Sequence, residues 1–238
     1  RTVPASGLRN GSELTALLAG SAANYRVLVD EQLLTDAEAR KHQIARVRGY
    51  DPFLLVRFVA LLQTTVGDRD FLTGEAAGYV THPRLEYAQA PLDLLGVRYL
   101  IVAHHDPIER PNLQLVERGF IRPSVTLRGE QPQEIPYAFY ENATPLPRSF
   151  VLGNVEQTLG GSLVLSQLRE MNTREQLLVA GDALPPGARQ VFTPAEIIEY
   201  SPTRVIVEAD LQSPGYLVLS DLHFFELGRR NLGWQAAV

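Results

Sequence analysis

Apolar positions along the chain fall into short runs and a few helical patches. Tyr25-Arg26-Val27-Leu28-Val29, apolar but for Arg26, reads as a buried strand. Residues 36–41 form a polar helical turn, and 13–18 a short helical candidate inside a Gly-, Ser- and Ala-rich opening that extends to residue 24. The strongest pattern begins at Asp51-Pro52 and places Phe53, Leu54, Val56, Phe58, Val59, Leu61 and Leu62 in one apolar run, with Gly67 as its stop. Asp before Pro is a capping residue followed by a good first helical residue, so the spacing predicts a helix with a wide buried face. Residues 91–95 predict one further helical turn, leading through Gly96 into a strand at 97–103.

Strands follow at 113–117, 137–141 and 150–152, with Pro132, Pro136, Pro145 and Pro147 marking connections where neither ladder nor helix continues. A strand is expected at 177–179 and a loop at 184–187. In 204–210 the residues Val205, Val207 and Ala209 share one face, 212–215 is a turn, and 216–222 returns, which predicts a hairpin. The fold class read from this pattern is α+β. A mixed α/β lobe over 1–158 is expected beside a β-rich, antiparallel, sandwich-like part over 159–238, the two forming one unit.

Composition narrows the chemistry. The 238 residues are 45% hydrophobic and 21% charged, the balance of a folded chain. The absence of cysteine removes thiolate zinc sites, iron–sulfur clusters and cysteine nucleophiles. A net charge of −5, with arginines scattered rather than clustered, gives no basic field for nucleic acid. Lys41 is the only lysine and is followed by His42, so no phosphate-binding Gly-x-x-x-x-Gly-Lys loop exists. Neither a dinucleotide-binding Gly-x-Gly-x-x-Gly nor a Gly-x-Ser-x-Gly nucleophile elbow occurs. No apolar stretch reaches the length needed to span a bilayer. Residue 1 is Arg and Met171 is the one methionine, which reads as a chain cut from a larger protein.

Two clusters have metal-like composition. His104-His105-Asp106 offers imidazole and carboxylate ligands, but neighbouring residues at a strand end point to opposite faces and Pro107 makes a turn, so a solvated strand end is the plainer reading. Asp68-Arg69-Asp70 has the spacing of a carboxylate pair sharing a divalent cation, and without a nucleotide-binding unit around it reads as a polar loop. No metal and no cofactor is expected. Asn10-Gly11-Ser12 and Asn142-Ala143-Thr144 fit the short N-glycosylation pattern, which alone carries no weight.

Arg48-Gly49-Tyr50-Asp51-Pro52-Phe53-Leu54, followed by Arg57-Phe58, resembles a segment in the extracytoplasmic region of YfhO-type bacterial integral membrane proteins, many-spanning relatives of the GT-C lipid-linked-sugar glycosyltransferases. Four further segments resemble that family in the same order. They are 94–102 (L-L-G-V-R-Y-L-I-V), 140–150 (Y-E-N-A…L-P-R-S-F), 200–205 (Y-S-P-T-R-V) and 215–221 (G-Y-L-V-L-S-D). Gly233-Trp234-Gln235-Ala236 then matches only after an insertion over 222–232.

The resemblance implies a domain outside the cytoplasmic membrane, on the extracytoplasmic face of a bacterial cell and attached to a transmembrane portion of its own chain. It further implies a contact with a cell-envelope glycan or lipid-linked sugar, while catalysis belongs to the membrane part. A full-length product without membrane spans would end that reading. The ligand-binding positions it implies are Tyr50, Asp51, Arg57, Glu141, Asn142 and Arg148. Each has a structural reading beside it: Asp51 as a helix cap, Arg148 paired with a carboxylate such as Glu141, and Asn142 as a turn residue. The alternative is a stand-alone α+β binding or adhesion module.

Overall fold

A computed structural model of the chain describes residues 9–19, 24–30, 32–47, 61, 89–103, 108–122, 133–158, 162–180, 190–201 and 204–220. The N-terminal elements are β1 (Arg9–Asn10), α1 (Gly11–Ala19), β2 (Arg26–Val29), α2 (Asp36–Lys41), α3 (Gln89–Leu94), β3 (Val97–Val102), β4 (Leu113–Arg122) and β5 (Ile135–Asn142). They build one mixed five-stranded sheet in the order β1-β4-β5-β3-β2. Its outer pairs β1–β4 and β2–β3 are parallel and its inner pairs β4–β5 and β3–β5 antiparallel. The α+β class therefore holds.

Both faces of this sheet are covered, which is why its central strands read as continuous apolar runs rather than as strict alternation. On one face Leu28, Leu100, Val102, Ala138 and Tyr140 pack with Leu92 and Leu95 at the end of α3, and Leu61 adds to this layer. On the other face Val27, Val29, Ile101, Tyr137 and Phe139 pack with Leu14 and Leu18 of α1 and Ala39 of α2. α2 starts with a capping box. Thr35 Oγ1 accepts from the Glu38 N–H while the Glu38 carboxylate accepts from the Thr35 N–H, which satisfies two helix-end donors at once.

β4 is twice as long as expected because of a bulge. Leu115 faces Tyr140 and Glu117 faces Phe139, so Val116 is the extra residue and the strand changes face there. Leu113 consequently lies in one core layer and Ile121 in the other, although both are odd-numbered.

The C-terminal elements are β6 (Ser149–Leu152), β7 (Val155–Thr158), α4 (Ser162–Glu170), β8 (Leu177–Ala180), β9 (Thr193–Pro194), β10 (Glu196–Ser201), β11 (Arg204–Glu208) and β12 (Tyr216–Leu219). Among the described residues they form three small sheets: β12-β6-β9, β10-β11 and β7-β8. The first two are antiparallel. The third is parallel, because α4 carries the chain back across as a crossover. Pairings β6–β12 and β7–β8 both join residues on either side of position 158.

The predicted hairpin of 204–210 with 216–222 does not form. β11 pairs instead with β10, and β12 crosses to β6. The cause is the buried Gln190. Its side-chain oxygen accepts from the N–H groups of Gln212 and Ser213, and its own N–H donates to the Pro214 carbonyl, so the 212–215 turn is tied away from β11. Gly215 allows the close approach: a Cβ there would stand 2.6 Å from Val151 and 2.7 Å from Gln190.

The third core, Leu146, Phe150, Leu152 and Leu177 with Leu94, Phe192 and Val218 against it, joins α3 to these C-terminal strands. No described helix is long and apolar enough to cross a membrane.

Candidate functional site

α3 ends at Gly96, whose φ of +66° is the left-handed turn that only glycine adopts without strain, and a Cβ there would lie 3.1 Å from the Leu146 carbonyl. That turn brings Asp93 against the end of β5 and the segment after it. The Asp93 carboxylate, buried, accepts from Gln89 Nε2 at 2.6 Å, Asn142 Nδ2 at 2.8 Å and Thr144 Oγ1 at 2.9 Å. Asn142 Nδ2 also donates to the Val97 carbonyl, and its Oδ1 accepts from Gln89 Nε2 and the Thr144 N–H. The Asn142 amide is thus fully engaged within the protein. Its burial also leaves the Asn142-Ala143-Thr144 sequon without a reachable amide in the folded chain.

Burial pushes the Asp93 carboxyl above its ordinary 3.8, partly countered by the hydrogen bonds from Asn142, Thr144 and Gln89 and by the Arg174 charge. A carboxyl whose folded pKa is raised contributes stability that is complete below the unfolded pKa and is lost as pH rises through the folded one. The stability of the wild type relative to Asp93→Asn is therefore expected to rise as pH falls from neutral through the acid range. Chemical denaturation of both proteins from pH 7 to pH 4 measures this, and a constant difference would contradict the assignment.

The knot fixes the loop Pro145-Leu146-Pro147, and this loop opens a cleft. The cleft has a volume of ≈ 380 Å³ and lies between Asn24-Tyr25 of the N-terminal half and the β6, β9 and β10 strands. Pro145, Pro147, Pro194 and Phe192 give it apolar walls, and Arg148, Arg174 and Glu196 its charge. Arg148 stacks over the Tyr200 ring at 4.4 Å, and Arg174 over Phe192 at 4.7 Å. Arg174 also donates to the Pro145 carbonyl at 3.1 Å. Backbone bonds from Arg148 N–H to Asn24 and from Ser220 N–H to Arg148 anchor the floor.

No family model, no curated protein and no solved structure matches this chain.

Of the expected ligand-binding positions that fall among the described residues, Glu141, Asn142 and Arg148, the last lines the cleft. Glu141 pairs with Arg98 at 3.3 Å, both partly exposed, and not with Arg148. Arg98 in turn lies 5.5 Å from the centre of the Tyr25 ring, which lines the cleft, while Glu141 itself does not. Asn142 is the interior support described above. Tyr50, Asp51 and Arg57 lie outside the described residues, as do most of the helix expected from Asp51-Pro52 to near Gly67, the clusters His104-His105-Asp106 and Asp68-Arg69-Asp70, and Trp234. Among the described residues no group of three or more metal-ligating side chains occurs.

Sequence reasoning did not single out Tyr25, Arg174, Phe192 or Glu196. Arg174 stands in a polar turn before β8 with nothing local to distinguish it from the other arginines, since its partner Phe192 is eighteen positions away.

Proposed function

We propose that this chain is an extracytoplasmic accessory domain of a polytopic membrane protein related to lipid-linked-sugar glycosyltransferases, and that its cleft receives a glycan acceptor. The observation that carries the reading is the cleft itself. Its apolar proline and aromatic walls and its few convergent polar groups are the composition a saccharide needs, because a sugar ring has an apolar face and a polar rim. The arrangement of the resembling segments supports it. Of the five, 140–150, 200–205 and 215–221 meet around Arg148: Tyr200 lies under its guanidinium, Ser220 donates to its carbonyl, and Val218 pairs with Phe150 two residues on. Arg26 ties the same region to the main sheet by donating to Ser220 and to the Leu95 carbonyl. In this reading the domain binds and orients, and the membrane-embedded part carries the chemistry.

The test is Arg148→Ala in the 238-residue chain. Nuclear magnetic resonance titration with neutral and charged cell-wall sugars is expected to shift cleft resonances in the wild type and not in the variant. The melting temperature should stay nearly unchanged if the role of Arg148 is binding, its guanidinium stacking 4.4 Å from the Tyr200 ring. A variant that melts far earlier would reassign Arg148 to structure and remove it from the binding site.

A further inference from the structure

The polar side of the cleft has a sign. The chain carries −5 overall, yet the described cleft wall holds two guanidinium groups against one carboxylate, Glu196. Arg174 is the informative one. Among the described residues it has no carboxylate within ion-pair distance, and its single side-chain hydrogen bond goes to the Pro145 carbonyl. A guanidinium has five N–H donors in its plane, and stacking on a ring uses none of them. The Phe192 ring, itself 5.3 Å from Phe150 of the third core, thus holds the Arg174 plane in place while most of its donors remain unspent at the cleft. Arg148 also stacks on a ring, that of Tyr200, and makes further interactions within the chain. An arginine pre-positioned on an aromatic ring at a cavity matches a planar or tetrahedral acid group, which takes parallel N–H···O bonds from such a fork. Beside them, Tyr25 and the three prolines form the surface on which a ring can lie.

We infer that the cleft selects an acidic saccharide, a sugar bearing a carboxylate or a phosphate, with Arg174 receiving the acid group and Tyr25 and the prolines the ring. This rests on the reading of the cleft as a glycan site and names the class of glycan. Arg174 then sets the charge specificity, and its exposed position on a turn allows it to be changed without disturbing the core.

Isothermal titration of the 238-residue chain with glucuronic acid, glucose 6-phosphate, glucose, acetate and inorganic phosphate tests it. At least one acidic sugar is expected to bind about tenfold or more tightly than glucose. Arg174→Gln should weaken that sugar by about tenfold to a hundredfold, the range of a hydrogen bond to a charged group, with the melting temperature unchanged. Glucuronic acid alone binding would assign the acid as a carboxylate, glucose 6-phosphate alone as a phosphate, and either supports the inference. Glucose binding as well as the acids, with Arg174→Gln unaffected, would overturn the acidic selectivity and leave a neutral glycan site. Acetate or free phosphate binding as tightly as the matching sugar would overturn the saccharide part, and no sugar binding at all would overturn the underlying reading too.

Discussion

Replacing Asn142 with alanine is expected to lower the stability of the fold by about 3–5 kcal/mol, because the change strands several buried polar groups at once, each worth about 1–3 kcal/mol when unsatisfied. Asn142 Nδ2 serves Asp93 and the Val97 carbonyl, and its Oδ1 serves Gln89 and the Thr144 N–H. Loss of the amide removes a donor from a carboxylate already disfavoured by burial, which is the costliest partner to abandon. At about 2–4 °C per kcal/mol for a chain of this size, the melting temperature should fall by about 10 °C. Thr144→Ala, which removes one hydroxyl donor, should cost clearly less. Equal effects for the two variants, or a loss under about 1 kcal/mol for Asn142→Ala, would show that the knot is not the element that locks α3 to β5.

The second large effect is expected at Phe150, which is fully buried at the junction of the N-terminal and C-terminal strands. Phe150→Ala should destabilise by about 3–5 kcal/mol through lost burial and the cavity left behind, whereas Phe150→Leu, which refills most of the volume, should cost less than about 1.5 kcal/mol. The substitution has a functional consequence as well. The Phe150 ring supports Phe192, and Phe192 supports the Arg174 guanidinium, so the alanine variant should also lose saccharide binding under conditions where it is still folded. Guanidinium denaturation measures the first effect and sugar titration the second. Binding that survived in a folded Phe150→Ala protein would mean that Arg174 is held by something other than the ring stack.

Several elements could be read from local pattern with physical reason. Residues 36–41 emerged with the expected bounds because the turn carries its own capping signal, and strands 26–29, 97–102 and 135–142 because residues buried on both faces leave a continuous apolar run. The second half of β4 and all of β10 were hidden by bulges, at 115–117 and 197–199, since one extra residue breaks the alternation on which a strand reading depends. α4 follows Gly160-Gly161 and reads as loop, its helical stripe too short to stand out before tertiary packing supports it. Arg148 was named through the family resemblance of its segment and not from any local pattern. Asn142 was visible as a turn residue, but its interior role depends on Asp93, forty-nine positions earlier.

By itself the sequence determined the class of the fold, the main strands of the large sheet, the glycine at the end of α3, and the exclusion of cysteine chemistry and phosphate-loop chemistry, because each depends on residue types or on spacings shorter than a turn or a strand. The tertiary structure alone decided which strand β12 joins, which carboxylate Asn142 serves, and which arginines share a cleft. The cleft wall is assembled from residues near 24, 145, 174 and 195, and their meeting is set by the burial of Gln190 and Phe150 and by the closure at Gly96 and Gly215, long-range packing that no local period encodes.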